Sequence, residues 1–275
     1  MHISIALVQR PVTRACAITQ HKYISTMTKE LLRWQSGNAK LPSRILHFSL
    51  PSGHTCPAAL ECLSKAEQDS GKVTDGKQTK FRCYAATMEA RHSAVRKLRW
   101  QNFLLLRGKS RKQMFRMLFA SLKKTHDRYQ KNHQQRPIIR SHVGGDFFNK
   151  SYFLAWMDLA RAFNPTKFYA YTKRLDLWLK CIDDIPDNFE LNASRGGRFD
   201  HLINEHNLKS AEVVFSYNEA KQKGLQIDCD DTLAYTPGPS FAQLLHGTQP
   251  AGSDAAKAKV KLQLEKGFYG YSNNT

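Results

Sequence analysis

Residues 44–62 read RILHFSLPSGHTCPAALEC, and this stretch decides the fold. Its first seven residues alternate apolar and polar side chains and stop at Pro51, which is the pattern of a β-strand. A loop that contains Cys56 and Cys62 follows at once, and Cys83 comes after a polar segment. The stretch therefore predicts a strand whose carboxyl end carries a cysteine-rich loop.

Strand and helix patterns alternate after this loop. Five further short apolar segments are bounded by Gly, Pro or polar residues and read as strands: 137–143, 167–171, 189–193, 211–215 and 225–229. Apolar residues recur at helical spacing between them, most clearly in 151–163. Such alternation is typical of parallel strands joined by right-handed crossovers. The residues alone leave open whether the sheet is doubly wound or an incomplete barrel.

The ends of the chain differ from its middle. Residues 1–29 contain four basic and no acidic side chains, which is typical of a transit peptide or an unstructured leader; a true start at Met27 is equally compatible. No apolar run approaches the roughly 20 residues of a membrane span, so we expect no membrane partner. The predicted parts are an α/β domain at 30–235, with a cysteine loop at 51–85 and basic helices at 86–136, and a C-terminal extension at 236–275.

The cysteine loop indicates a metal site. Thiolates are soft ligands that favour zinc, copper(I) or iron–sulfur clusters. Structural zinc takes four protein ligands, so His54 would have to join Cys56, Cys62 and Cys83. An iron–sulfur cluster can use three cysteines and leave one iron open. The alternative, that these cysteines are buried small hydrophobes, is disfavoured by the Pro, Gly and polar residues around them.

Further candidate residues follow the later strands. Gly144 and Gly145 would let a ligand approach the backbone at a strand end, and Asp146 can accept a hydrogen bond from an ammonium group. The same three residues are also compatible with an ordinary strand-to-helix turn. Tyr171 and Lys173 end the third strand, and Ser194 and Arg195 end the fourth. Arg195 suits a carboxylate or phosphate, and Lys173 suits a phosphate or a proton transfer, although both also fit solvated charges at helix starts.

The net charge of +19 attracts polyanions, and most of it is concentrated in one segment. Residues 86–136 hold fourteen basic side chains and only two acidic ones, Glu89 and Asp127. Basic side chains can follow a phosphate backbone, so we predict nucleic-acid contact here. The interleaved aromatic residues are compatible with base stacking, but we expect them on the core face of the helices.

Together these motifs resemble the radical S-adenosylmethionine superfamily. The resemblance implies a partial (β/α)6 barrel and a [4Fe-4S] cluster on Cys56, Cys62 and Cys83. It implies that S-adenosylmethionine binds to the cluster by its amino and carboxylate groups, beside Gly144, Gly145 and Asp146, with Ser194 and Arg195 after the fourth strand. It also makes Tyr84 a cofactor-side residue and Lys173 and Tyr171 candidates for catalysis. The loop is longer than the usual C-x3-C-x2-C spacing, and Asp146 stands where Glu is usual.

The chain also resembles an uncharacterised phage and plasmid family called gene product 88. The likeness covers about residues 30–270, and the family has no assigned activity. The matching stretches are 37–41, LPSGHTCPAALEC at 50–62, CYA at 83–85, VGGDFFN at 143–149, FYAYTKR at 168–174 and LLHGTQPAGSDAAK at 244–257.

Three functions follow as hypotheses. The first is an iron–sulfur enzyme of the radical type that modifies nucleic acid or a nucleotide in the cytoplasm of a phage or plasmid host. The second is a zinc-stabilised nucleic-acid-binding protein without catalysis. The third is a protein that has kept the barrel and lost its activity. The sequence leaves the substrate and the oligomeric state open.

Overall fold

The computed structural model describes residues 31–267 and 270–271, so the leader expected at 1–29 lies outside the described residues. The strands are β1 (Gln35–Ser36), β2 (Ile45–His47), β3 (Ser64–Ala66), β4 (Val73–Asp75), β5 (Ile138–Arg140), β6 (Phe168–Thr172), β7 (Phe189–Ser194), β8 (Ser210–Val214), β9 (Gln226–Ile227) and β10 (Phe241–Leu244). The α-helices are α1 (Tyr84–Arg91), α2 (Ser93–Leu106), α3 (Arg111–His133), α4 (Lys150–Ala162), α5 (Leu175–Lys180), α6 (His201–Glu205), α7 (Tyr217–Gln222), α8 (Thr232–Tyr235) and α9 (Asp254–Lys266).

Eight of these strands form one sheet, in the order β1-β2-β5-β6-β7-β8-β10-β9. Strand β1 is antiparallel to β2, and every other pairing in this sheet is parallel. From β2 to β8 the strands follow one another across the sheet in chain order, with helices in the connections. The prediction of a mixed α/β fold with a mainly parallel sheet is confirmed.

The largest core cluster lies between the sheet and the long helices. Helix α4 is buried along most of its length and places Tyr152, Phe153 and Trp156 against strands of the sheet. Helix α3 contributes Met114 and Leu118 to the same cluster. Asn149 begins α4 by accepting a hydrogen bond from the Tyr152 amide, so the end of the VGGDFFN stretch is a helix cap.

A second cluster shows that the sheet is curved. Ile45 of β2, Tyr169 of β6 and Phe241 of β10 pack together, although their strands are well separated in the sheet order. On the same side of the sheet Lys40, just before β2, is 2.7 Å from Asp231, which follows β9. The segment before β2 and the segment after β9 therefore meet through this ion pair.

The predicted strands all appear, and four short strands, β1, β3, β4 and β10, were not predicted. Residues 241–244 form β10, which pairs with β8 on one side and β9 on the other. The sheet thus continues into the segment 236–275, beyond the boundary that we expected at residue 235. Among the described residues, none of the helices is long and apolar enough to cross a membrane.

Candidate functional site

A cavity lies at the carboxyl ends of the parallel strands, where ligands bind in this class of sheet. Its lining combines the cysteine loop with the residues that follow β5, β6 and β7 and with residues of β8 and β10. All eleven candidate residues named from the sequence line this one cavity: Cys56, Cys62, Cys83, Tyr84, Gly144, Gly145, Asp146, Tyr171, Lys173, Ser194 and Arg195.

The long interval between Cys62 and Cys83 is occupied by a hairpin. Strands β3 and β4 pair antiparallel to each other, with Ser64 opposite Asp75. The chain then returns to its starting point, because the Phe81 amide donates to the Glu61 carbonyl and the Cys83 amide to Ser64 Oγ. The hairpin therefore projects out of the loop and leaves Cys83 close to Cys62.

Backbone hydrogen bonds attach the cysteine loop to two strand ends. The Leu50 amide donates to the Gly144 carbonyl at 2.8 Å, which holds the start of the loop against the end of β5. The amides of Leu60 and Glu61 both donate to the Gly196 carbonyl, directly after β7. Three motifs that are far apart in the sequence thus form one rim.

The three cysteines are half-buried, and the surroundings of Cys56 and Cys83 disfavour the thiolate form. Burial raises the pKa of Cys56 well above its usual value, and Asp146, Cys83 and Cys62 raise it further. Burial and the nearby Cys62 raise the pKa of Cys83 to about 11, against the opposing effect of the Ala86 and Ala85 amides at the start of α1. Both thiols are therefore protonated at neutral pH, and a metal that binds them must displace those protons.

The described residues contain no group of three or more His, Cys, Asp or Glu side chains that is arranged to hold a metal ion. His54, considered above as a fourth zinc ligand, instead donates from Nε2 to the Ala66 carbonyl at 3.0 Å and packs against Trp100. The structure thus gives no support to a zinc site completed by His54.

The space beside Gly144 and Gly145, where a side chain would start, is filled by other residues of the protein. A Cβ at Gly144 would lie 2.7 Å from Arg99 Nη1, and a Cβ at Gly145 would lie 2.6 Å from Thr55 Oγ1. Gly145 also has φ of +89°, which disfavours other residues. We expected these glycines to admit a ligand to the backbone, whereas the close neighbours in the structure are protein side chains.

Asp146 joins the ends of two strands. Its carboxylate accepts hydrogen bonds from Thr172 Oγ1 and from the amides of Phe147 and Lys173, at 2.7 to 2.9 Å. Burial raises the pKa of Asp146, although these hydrogen bonds oppose the rise. The carboxylate therefore holds the end of β6 against the turn that contains Gly144 and Gly145, and it also lines the cavity.

Lys173 is buried and fully engaged. Its Nζ donates to the Ser194 carbonyl and to Ser194 Oγ, both at 2.9 Å, and to the Arg195 carbonyl. Because an ammonium group has three protons, all of them are directed at protein acceptors. In this arrangement Lys173 joins the end of β6 to the end of β7, so it is not the solvated charge considered as an alternative.

Two other polar side chains, Tyr171 and Arg195, also line the cavity. Tyr171 Oη accepts from Gln243 Nε2 at 2.9 Å and lies 3.2 Å from Asp231, and burial raises the pKa of this phenol, which keeps it protonated. Arg195 is partly exposed, and its side chain makes a single long hydrogen bond of 3.3 Å, to Asn204. Its Nε also lies 3.9 Å from a carboxylate oxygen of Glu212, so both of its contacts with protein groups are long.

Several lining residues were missed by the sequence reasoning. Arg140 and His142 come from the segment read as the second strand, where charged or polar side chains within a short apolar run were the available signal. Burial, followed by Arg140, lowers the pKa of His142 to about 3, so this imidazole is neutral. Gln243 and His246 come from 236–275, which we had placed outside the domain.

The basic helices divide into internal and external cations. Arg96 and Arg99 are buried, and Arg111 and Lys123 form ion pairs with Asp158 and Asp127. Phe103, Phe115, Phe119 and Tyr129 pack in or against the core, as expected, whereas Trp100 packs against His54 and Phe103. The ten remaining cations are exposed: Arg91, Lys97, Arg107, Lys109, Lys112, Arg116, Lys124, Arg128, Lys131 and Arg136.

Comparison with known proteins identifies a family. No curated protein and no solved structure matches the chain. The gene product 88 family matches residues 16–263, which is most of the sequence and includes the cysteine loop and all the strand ends of the cavity. The chain is therefore a member of the gene product 88 family.

Proposed function

We propose that this protein is an iron–sulfur enzyme of the radical S-adenosylmethionine type that acts on nucleic acid or a nucleotide. Cys56, Cys62 and Cys83 would hold a [4Fe-4S] cluster, and S-adenosylmethionine would bind beside it. The observation that carries the proposal is that three cysteines, distant in the sequence, line one cavity with the strand-end motifs of β5, β6 and β7.

The donor set suits a cluster better than a single ion. Three thiols are present, and thiolate is the ligand that iron–sulfur clusters prefer. In a cluster each cysteine binds a different iron, so its ligands lie further apart than those of a single ion. The absence of a single-ion site among the described residues is compatible with that wider spacing. When bound, the cluster and S-adenosylmethionine together supply a 5′-deoxyadenosyl radical after transfer of one electron.

The chain's own residues would bind and orient the methionine part of the cofactor. Arg195, the least constrained cation of the rim, would pair with its carboxylate. Asp146 would accept a hydrogen bond from its ammonium group. Lys173 and Ser194 act as positioning residues, because their mutual hydrogen bonds fix the backbone that carries Arg195. Tyr171 stays protonated beside the cavity and donates its proton to Asp231.

The order of strands supports a partial barrel. Strands β2, β5, β6, β7, β8 and β10 are neighbours in chain order, with β9 attached outside β10. Sequential parallel strands with right-handed crossovers place their helices on one side, which lets the sheet curve into a barrel. The apolar cluster shared by β2, β6, β8 and β10 fits the interior of a partial (β/α)6 barrel.

The exposed cations of 86–136 are proposed to contact the nucleic acid, in the cytoplasm of a phage or plasmid host. They share a segment of chain with α1, which begins directly after the third cysteine. A polyanion held on these helices would therefore approach the cavity from the Cys83 side.

Metal analysis of protein purified without oxygen tests the proposal. We expect a brown protein with iron and sulfide in equal amounts, and 5′-deoxyadenosine when S-adenosylmethionine and a reductant are added. Cys56→Ala, Cys62→Ala and Cys83→Ala should each lose the colour. Cys181→Ala and Cys229→Ala are matched controls that should keep it, because these cysteines lie outside the cavity. Colourless protein with stoichiometric zinc would reject the proposal in favour of a zinc-stabilised binding protein.

A further inference from the structure

A second cavity adjoins the first and opens between the two ends of the sheet. Its lining includes residues 37–41 before β2, parts of α1 and α2, and the chain after β10. The two cavities share a wall formed by Tyr84, Arg140, Val143, Gln243 and His246. A molecule in the second cavity would therefore lie directly beside the cysteine site.

The second cavity is electropositive. Lys40, Arg91, Arg99 and Arg140 line it, and of the described lining side chains none is acidic. Two carboxylates that do not line the cavity balance part of this positive charge. Asp231 pairs with both Lys40 and Arg140, and Asp228 lies 3.9 Å from Lys40. Arg91 is exposed and has no ion-pair partner among the described residues.

Two buried side chains that line the second cavity have hydrogen-bonding atoms without a partner among the described residues. Arg99 is 4% exposed, and its Nη1 donates to Glu89 and to the Ala85 carbonyl, while its Nε lacks a partner in the part of the chain that the structure describes. A buried donor without an acceptor is costly, so an acceptor that reached Arg99 Nε would be stabilising.

His47 complements this donor. It is 3% exposed, and its Nε2 donates to the Gly37 carbonyl, which leaves Nδ1 as an acceptor. Nδ1 also lacks a partner among residues 31–267 and 270–271. The second cavity thus offers Arg99 Nε as a donor for an anionic oxygen and His47 Nδ1 as an acceptor for a hydroxyl group.

We infer that the second cavity binds a nucleoside phosphate. Its phosphate would face Arg91 and Arg99, and a ribose hydroxyl would donate to His47. Tyr84, whose ring is tilted by 36° against that of His246 with 4.6 Å between ring centres, provides an aromatic wall for the base. The role of this molecule as substrate rests on the proposed function, whereas its binding does not require the cluster.

Binding measurements by calorimetry test this inference, using AMP, GMP, CMP and UMP, the four nucleosides, and an RNA oligonucleotide with or without a 5′-phosphate. We expect at least one phosphorylated probe to bind at least tenfold more tightly than its unphosphorylated form. Binding of mononucleotides identifies a free nucleotide as the ligand, and binding of the phosphorylated oligonucleotide alone identifies a nucleic-acid end.

Variants separate this site from general charge effects. Arg91→Gln should weaken binding at least tenfold, whereas Lys97→Gln, an exposed cation on the next helix, should leave it unchanged. Equal losses in both variants, equal binding of nucleosides, or no binding of any probe would overturn the inference. The same titration on the Cys56→Ala protein should give the wild-type affinity, so failure of the cluster proposal and failure of this one are distinguishable.

Discussion

At the scale of single residues, the site is built from charged groups whose partners are internal. Lys173 and Asp146 were identified from the sequence as strand-end residues that could bind a ligand or transfer a proton. Their positions at the cavity follow from strand order, but their hydrogen bonds depend on the approach of neighbouring strands. Sequence position therefore predicts which residues reach the cavity, and it does not distinguish a residue that contacts a ligand from one that holds the strands.

We predict that Lys173→Met destabilises the fold by about 3 kcal/mol. The substitution keeps most of the side-chain volume and leaves the carbonyls of Ser194 and Arg195 without their buried donor. Urea unfolding followed by circular dichroism would measure the change. Lys180→Met, at an exposed position, is the control and should change stability by less than about 0.5 kcal/mol. Equal stability of the two variants would contradict the role assigned to Lys173.

We predict that Gly145→Ala is more destabilising than Gly108→Ala by about 1–3 kcal/mol. Both glycines have positive φ, so both substitutions carry the same backbone cost. Only at Gly145 would the added Cβ meet protein atoms, Thr55 Oγ1 at 2.6 Å and Leu50 Cβ at 2.7 Å; no described atom lies within 4 Å at Gly108. Thermal unfolding of the two variants measures the difference, and similar melting temperatures would argue against the close approach.

At the scale of elements, the hairpin of β3 and β4 accounts for the unusual cysteine spacing. The segment 68–80 reads as polar and rich in Gly, Lys and Asp, which predicts a loop and conceals β4, while its partner β3 lies just before the segment. Strands this short carry too few alternating residues for periodicity to reveal them. The return of Cys83 to the other two cysteines thus depends on an antiparallel pairing that a local pattern does not show.

Arg96 attaches this hairpin to the helices, although the sequence placed it among the nucleic-acid cations. Its guanidinium donates to the carbonyls of Gln68, Asp69 and Glu89. We predict that Arg96→Met increases hydrogen exchange of the amides in 64–75, because the tip of the hairpin loses its attachment. Lys97→Met is the exposed control. Unchanged exchange in both variants would show that the hairpin is held by its own strand pairing.

At the scale of the whole molecule, the charge distribution leads to a salt-dependence prediction. Changing four exposed cations of the basic segment to Gln (Lys124, Arg128, Lys131 and Arg136) should lower the salt dependence of RNA binding. We expect the slope of log K against log salt to fall by roughly one unit for each phosphate contact that is lost.

The matched control removes the same charge elsewhere. It changes four exposed lysines outside the basic segment, Lys150, Lys167, Lys180 and Lys221, to Gln. Fluorescence anisotropy at several salt concentrations measures both slopes. If the two quadruple variants behave alike, RNA responds to net charge rather than to the helices.

The fold class was predictable because each of the predicted strands is a short apolar run that is bounded by Gly, Pro or polar residues. Strand β10 was missed for a physical reason: it is four residues long, and its place between β8 and β9 depends on two partners that are distant in the sequence. Gln243 and His246 of the cavity were missed with it.

The position of β10 also has a consequence for synthesis on the ribosome. Strand β9 is made before β10 and, among the described strands, pairs with β10 alone, so it has no place in the sheet until residues 241–244 emerge. Until then the edge of β8 stays open, and an unpaired edge invites another chain to add to it. A translational pause before residue 241 would therefore expose the nascent chain to aggregation, and a chaperone that covers this edge would help most at that stage.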